Sequence, residues 1–173
     1  MKATVLLVSF MLIFSASISA QTIGAAGAEA DKTLTLPEML RYAIEDEHLA
    51  LAEYEAIMQE FGVVRPFSNI AESEKAHIGW LEDLYATYKL VVPTVNTSGH
   101  TVVPESLFGA AEIGVEAEKV NIAMYEKFLQ EQLPADVRAV FEQLKRSSEN
   151  HLQSFERQVA AGESTARRGR SGF

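Results

Sequence analysis

The chain of 173 residues contains no cysteine. It therefore forms no disulfide, and any metal site in it must use histidine, aspartate and glutamate side chains. Basic residues are also scarce, because 15 lysines and arginines stand against 24 aspartates and glutamates, which gives a net charge of −9. This excess of negative charge argues against a nucleic-acid-binding surface and favours attraction of cations.

Several catalytic motifs are absent too. No glycine-rich phosphate loop, nucleophile elbow or recognisable Ser-His-Asp arrangement occurs, so nucleotide-binding and hydrolase functions lack support. Only one long run is strongly apolar: it extends from Val5 to Phe14, follows Lys2, and precedes small residues that end at Ala20. This order of charged, apolar and small segments is typical of a secretory signal peptide.

The predicted signal covers residues 1–20, with cleavage favoured after Ala20 and cleavage after Ala28 as the alternative. Its apolar run is too short to span a bilayer comfortably, and no other stretch is long enough. We therefore expect an exported protein, periplasmic or extracellular after cleavage, without an integral membrane span. Residues 21–33 are rich in alanine and glycine and are predicted to form a flexible leader, and residues 161–173 a disordered tail.

Residues 34–160 carry four helical patterns. The first begins at Thr35, where Glu38 completes a capping box, and ends at Gly62. The other three patterns each follow a proline: Pro66, Pro104 and Pro134. Apolar residues recur in every pattern with a mean period of about 3.5 residues, the spacing expected of helices packed at shallow angles.

The links between these helices differ in length. Short links near residues 62–66 and near Pro134 make antiparallel neighbours of the helices they join. The middle link, residues 91–104, can reach roughly 45 Å when extended, whereas a helix of about 22 residues is roughly 33 Å long. The second and third helices can therefore run parallel, which predicts an all-α four-helix bundle with one long crossover.

Two local repeats relate the halves of this bundle. EHLALAEYE, which begins at Glu47, aligns with EKVNIAMYE, which begins at Glu118. Likewise IAESEKAH, which ends at His77, aligns with LKRSSENH, which ends at His151. A duplicated helical hairpin is a hypothesis that accounts for both matches.

Five polar residues interrupt the apolar seams near their midpoints: Glu47, Glu74, His77, Glu118 and His151. Unpaired polar side chains are costly to bury, so their common level in four seams indicates a shared partner. Glu74 and His77 are three residues apart on one helix and can hold a metal ion jointly. A glutamate from each of two helices, with Glu-x-x-His on the others, is the pattern of di-iron and di-manganese carboxylate proteins.

These motifs resemble the ferritin-like superfamily and, within it, the domain-of-unknown-function family 2202, over about residues 36–160. The resemblance rests on EDEHLALAEY, FGVVRPFSNIAESEKAH, GVEAEKVNI and SSENHLQSF. It implies a helical bundle with a dinuclear metal centre, but no agreed physiological reaction. The residues that match the family's ligands are Glu47, Glu74, His77, Glu118 and His151.

The sequence departs from that pattern at Ser148, which stands where the second Glu-x-x-His has its carboxylate. Glu149 is rotated about 100° around the helix and is a poor substitute. Asn121, one turn after Glu118, is a candidate neutral oxygen ligand. Three carboxylates and two imidazoles then predict one bound ion or an asymmetric pair, with iron as the expected metal and manganese or zinc as alternatives.

Other polar residues receive simpler interpretations. Tyr54 and Tyr125 are expected to pack and to donate one hydrogen bond each, with a redox role as the alternative. Six other acidic residues of the first two helices are predicted to form a solvated acidic face: Glu45, Asp46, Glu53, Glu55, Glu60 and Glu82.

Two functions are compatible with this sequence. One is oxidation of Fe(II), or turnover of O2 or peroxide, at the predicted centre. The other is a non-catalytic bundle that acts as an adaptor or envelope stress protein with a degenerate metal site. No sequence feature fixes the assembly, and a homodimer stays open.

Overall fold

The computed structural model describes the backbone of residues 22–170 and the side chains of residues 22–164. The predicted signal over residues 1–20 lies outside the described residues. The helices are α1 (Gly24–Ala30), α2 (Leu36–Phe61), α3 (Phe67–Thr87), α4 (Leu107–Phe128) and α5 (Ala135–Arg170). No strand occurs in the described part of the chain, so the all-α prediction is confirmed. None of its helices is both long and apolar enough to cross a membrane.

The start and end of α2 follow the sequence signals. The Thr35 amide and hydroxyl both donate to Glu38 Oε2, each at 2.7 Å, which forms the predicted capping box. Gly62 follows the helix with φ of 85°, a backbone conformation that glycine adopts without steric cost. The cap and the glycine thus define the length of the helix that carries Glu47.

The four long helices form two hairpins, α2 with α3 and α4 with α5. α2 and α4 are antiparallel, since Tyr54 lies beside Glu118 while Tyr125 lies beside Glu47. Because α2 is also antiparallel to α3, α3 and α4 run parallel. The link between Thr87 and Leu107 must therefore cross the length of the bundle, as the crossover prediction requires.

Apolar side chains fill the bundle on both sides of a polar middle layer. One cluster includes Leu40, Phe128 and Phe141, and the other includes Phe67 and Phe155. Burying a large apolar side chain contributes roughly 1.5–3 kcal/mol, so these clusters can hold the polar layer in place.

The predicted flexible leader contains α1, which packs against α2 and α4. Ala25 and Ala28 are buried in the apolar cluster that contains Tyr42. A side chain at Gly27 would overlap the Tyr42 ring, so the close approach of the helix requires glycine there. The small residues that suggested flexibility in fact allow a close helix contact.

The bundle also extends beyond its predicted end at residue 160, because α5 continues to Arg170. Residues 161–170, predicted as part of a disordered tail, are therefore helical. Gly162 faces the Phe108 ring, which a side chain there would overlap. This contact with α4 and the good helix formers around it favour continuation of the helix.

Candidate metal centre

The polar middle layer contains all five ligands predicted from the sequence. Each is at most 7% exposed, and they come from all four long helices: Glu47, Glu74, His77, Glu118 and His151. Residues separated by up to 104 positions (151 − 47) are thus brought to one level of the core.

Glu74 is the centre of this layer, because its two oxygens face different imidazoles. Glu74 Oε2 lies 2.7 Å from His77 Nδ1, and Glu74 Oε1 lies 3.3 Å from His151 Nδ1. Each imidazole also faces a second carboxylate: Glu47 Oε2 is 2.9 Å from His77 Nδ1, and Glu118 Oε1 is 3.4 Å from His151 Nδ1. Two clusters of ligand atoms result, Glu47/Glu74/His77 and Glu74/Glu118/His151, and the atoms of each lie within 4.8 Å of one another.

His151 provides the test of whether a cation fits. Its Nδ1 is buried and has no hydrogen-bond partner among the described residues, although two carboxylate oxygens lie 3.3 and 3.4 Å away. A buried polar atom without a partner is rare in folded proteins. A metal ion bound by the nitrogen and both oxygens would satisfy all three, so these residues fit a bound metal.

Two tyrosines position the outer carboxylates. The Tyr125 hydroxyl donates to Glu47 Oε1 at 2.6 Å, and the Tyr54 hydroxyl donates to Glu118 Oε1 at 2.9 Å. Burial raises the pKa of both tyrosines well above its usual value, so both stay protonated donors near neutral pH. The expectation that each packs and donates one hydrogen bond is confirmed.

Ser73 holds the other side of His77. Its Oγ lies 3.1 Å from His77 Nε2, which leaves Nδ1 directed at the carboxylates. Hydrogen bonds of this kind orient the ligand ring in metal proteins. Sequence reasoning missed Ser73, although its position one helical turn before His77 was a signal that could have indicated it.

The carboxylates and imidazoles of the layer shift one another's pKa values. Burial and the charge of Glu74 raise the pKa of Glu47 to about 7, against the opposing effect of His77. Burial lowers the pKa of His77, but hydrogen bonds to Glu47 and Glu74 outweigh it and raise the pKa to about 9. The carboxylates Glu118 and Glu74 likewise outweigh burial and raise the pKa of His151 to about 10. Metal binding would therefore displace protons from both imidazoles.

Ser148 is buried in the same layer, but its hydroxyl hydrogen-bonds to Asn121 and not to a residue of either cluster. Its Oγ donates to Asn121 Oδ1 at 2.7 Å, and Asn121 Nδ2 donates to Asp46 Oδ2 at 2.5 Å. The oxygen that made Asn121 a candidate ligand is thus occupied by Ser148. The repeat counterpart of Ser148 is Glu74, the carboxylate that both clusters share.

The two clusters have the same residue composition. Each cluster contains one glutamate of its own, one histidine and the shared Glu74, and neither cluster includes Ser148. The carboxylates lie closer to His77 than to His151. One bound ion or an asymmetric pair of ions stays a prediction.

Glu45 and Asp46 do not belong to a solvated acidic face. Glu45 Oε2 accepts from the Gly24 amide at 3.0 Å, and Asp46 Oδ1 accepts from the Ala25 amide at 2.8 Å. They therefore cap the N-terminus of α1, where backbone amides carry partial positive charge. Sequence reasoning missed this role because it depends on where α1 packs.

Comparison with known proteins supports the same family as the motifs. Residues 37–166 match the family described as "Uncharacterized protein domain (DUF2202)". The uncharacterized protein MJ0754 of Methanocaldococcus jannaschii is 29% identical over 130 residues, which cover 66% of this chain and 70% of that protein. The crystal structure of the hypothetical protein MJ0754 from Methanococcus jannaschii is similar with a TM-score of 0.66 and 25% identity, covering 77% of this chain and 85% of that chain. Because the family match spans most of its length, this chain belongs to the DUF2202 family.

Proposed function

We propose that the middle layer is a ferritin-like centre for one or two divalent metal ions, and that it acts in Fe(II) oxidation or in turnover of O2 or peroxide. The observation that carries this proposal is the shared position of Glu74, whose two oxygens face two buried imidazole nitrogens. Carboxylate and imidazole donors without thiolates suit iron or manganese, with zinc as an alternative.

Each residue would have a definite task. Glu47 and His77 would hold one ion with Glu74, and Glu118 and His151 would hold the other. Such ions supply electron-transfer and O2 chemistry when bound. The apolar clusters on either side exclude water from the ligands, and the tyrosine hydroxyls hold the two outer carboxylates.

The net charge of the layer does not distinguish one bound ion from two. Three carboxylates with neutral imidazoles carry −3, so one divalent ion gives −1 and two give +1. Either occupancy leaves one unit of charge in the layer. A fourth carboxylate at position 148 would have favoured two ions.

A non-catalytic adaptor or envelope stress protein is the second candidate. Ser148 favours it, because this chain lacks a carboxylate that its own repeat has at Glu74. In that case the protonated imidazoles would satisfy the carboxylates without a metal, and the layer would be a structural ion-pair cluster.

The test is metal content and Fe(II) titration of purified protein. Glu74→Gln should abolish binding of every ion, whereas His77→Ala and His151→Ala should each remove one cluster. Glu72→Gln, an exposed change on the same helix, is the matched control. Oxygen consumption on Fe(II) addition then separates a reactive centre from a passive one. Metal-free wild-type protein that binds no added Fe(II), Mn(II) or Zn(II) would contradict the proposal.

We also propose that the protein is exported, on the basis of residues 1–20 alone. Cleavage after Ala20 would keep α1 whole, whereas cleavage after Ala28 would remove most of it. N-terminal sequencing of protein recovered from the exported fraction should begin at Gln21. Recovery of an uncleaved chain from the cytoplasm would contradict export.

A further inference from the structure

A groove of about 780 Å³ lies on the outside of the bundle between α2 and α4. Its walls are mostly apolar, and they include Leu49 and Ala50 of α2 with Ala117 and Val120 of α4. We call this surface the α2–α4 groove. Its volume lies within the range of roughly 300–1,000 Å³ that is typical of small-molecule sites.

Four of the seven polar residues that line the groove are acidic, and the other three are Thr22, Tyr54 and His100. Asp46, Glu53, Glu112 and Glu116 line it, and no lysine or arginine is among its described lining residues. Glu116 pairs with Lys119 at its edge, and Asp46 caps α1. The groove therefore favours a positively charged occupant.

Two of the lining carboxylates, Glu53 and Glu112, have no cation beside them in the part of the chain whose side chains are described, and Glu53 is the less exposed of the two. Glu53 is half-buried, and among the residues whose side chains are described it has no hydrogen-bond or ion-pair partner. Burial raises its pKa, as expected for a carboxylate that lacks a compensating cation. A ligand cation placed there would supply the missing partner.

α1 packs against the same two helices that form the groove. α1 lies next to the groove, with Ala25 and Ala28 packed on apolar residues of α2 and α4. Its positive N-terminal end rests on the carboxylates of Glu45 and Asp46. A short helix with apolar side chains thus packs against both α2 and α4, and its residues Ala25 and Ala26 form one wall of the groove.

We propose that the α2–α4 groove binds a small apolar organic cation, of the class of a long-chain alkylammonium. The alkyl body would lie on Leu49, Ala117 and Val120, and the ammonium would pair with Glu53. This site is separate from the metal centre and requires no metal.

Titration calorimetry with four probes tests the proposal. Octylammonium carries both the body and the charge, octan-1-ol the body alone, methylammonium the charge alone, and octanoate the body with the opposite charge. We expect octylammonium to bind about tenfold or more tightly than octanol or octanoate, and methylammonium not to bind. Equal affinity for octylammonium and octanoate would overturn the proposal.

Variants locate the binding. Glu53→Gln should weaken octylammonium binding about three- to tenfold and leave octanol unchanged, whereas Glu60→Gln, an exposed change on the same helix, should change neither. Ala117→Trp should abolish binding of every probe that wild-type protein binds, and Val120→Trp repeats that test at a second exposed position. Full octylammonium binding by both tryptophan variants would overturn the proposal. Sedimentation that shows a wild-type dimer, dissociated by either variant, would also overturn it, because a second copy of the chain would then occupy the groove.

Discussion

The Tyr125 hydroxyl on α4 donates a hydrogen bond of 2.6 Å to Glu47 Oε1 on α2. The repeat-related residues form the reciprocal bond, from Tyr54 on α2 to Glu118 Oε1 on α4, at 2.9 Å. Each tyrosine lies seven residues after the glutamate of its own helix (54 − 47 and 125 − 118). Reciprocity then follows from antiparallel packing of two similar helices, as a duplicated hairpin would produce.

Replacing Tyr125 by phenylalanine should weaken metal binding without unfolding the bundle. The change removes the donor that fixes Glu47, and loss of such a bond typically costs about 10- to 100-fold in metal affinity. We expect a loss of about 1 kcal/mol in the free energy of unfolding. Tyr88→Phe is the control, because the Tyr88 hydroxyl donates to Asp136 away from the centre. Competition with a chromophoric chelator measures both affinities, and equal losses would contradict the assigned role of Tyr125.

Replacing Ser148 by glutamate should make stability more dependent on metal. Without metal, the new buried carboxylate should cost about 2 kcal/mol or more. With metal, it can act as the second shared ligand, so the difference in Tm between metal-loaded and chelator-treated protein should exceed that of wild type. Asn150→Glu, on the exposed side of the same helix, should not enlarge this difference. A Tm difference no larger than that of wild type would show that position 148 does not face bound metal.

Substitution of Gly27 by alanine should destabilise the protein, although glycine-to-alanine changes inside helices usually stabilise by roughly 0.5–1 kcal/mol. The added methyl group would overlap the Tyr42 ring and lift α1 from α2. Gly79→Ala in α3 is the control, since nothing lies within 4 Å of a methyl group there. Denaturant unfolding should show opposite signs for the two variants, and limited proteolysis should cut near α1 only in Gly27→Ala. A change of the same sign in the free energy of unfolding for both variants would show that α1 does not need close contact with Tyr42.

The capping box of α2 predicts a pH dependence. Hydrogen bonds from Thr35 lower the pKa of Glu38 below its ordinary value of 4.5. A lowered folded-state pKa gives stability that is present above pH 4.5 and is lost as the pH falls through the lowered value. Thr35→Ala should therefore lower Tm at pH 7, and its difference from wild type should narrow toward pH 3. A difference that stays constant over this range would show that Glu38 does not take part in the cap.

Periodicity made the candidate ligands visible. Polar residues such as Glu74 and His77 stand out in apolar stripes because an unpaired polar group is costly to bury, and that cost applies whatever the final packing. The capping box at Thr35 could also be predicted, since it depends on residues close in sequence. The long crossover could be predicted because it depends on the length of the link alone. The fold class and the convergence of the five polar residues in one buried layer could be predicted for this reason, and their binding of metal stays a prediction.

Other features depended on contacts between distant residues. The alanine- and glycine-rich leader gave no sign of α1, because its stability comes from Tyr42 and from the capping carboxylates Glu45 and Asp46. The sequence predicted that Glu45 and Asp46 are solvated because it gave no sign that α1 packs on them. Glu53 differs from them because it accepts no hydrogen bond from α1.

Local spacing in the sequence was enough to predict four amphipathic helices, their order, and the five polar residues that these helices together bury. Packing of the helices was needed to show that Glu74 faces both imidazoles, that Tyr125 donates to Glu47, and that Ser148 donates to Asn121. Those relationships are set by which side chains of different helices come within hydrogen-bond distance, and local spacing carries no information about such distances.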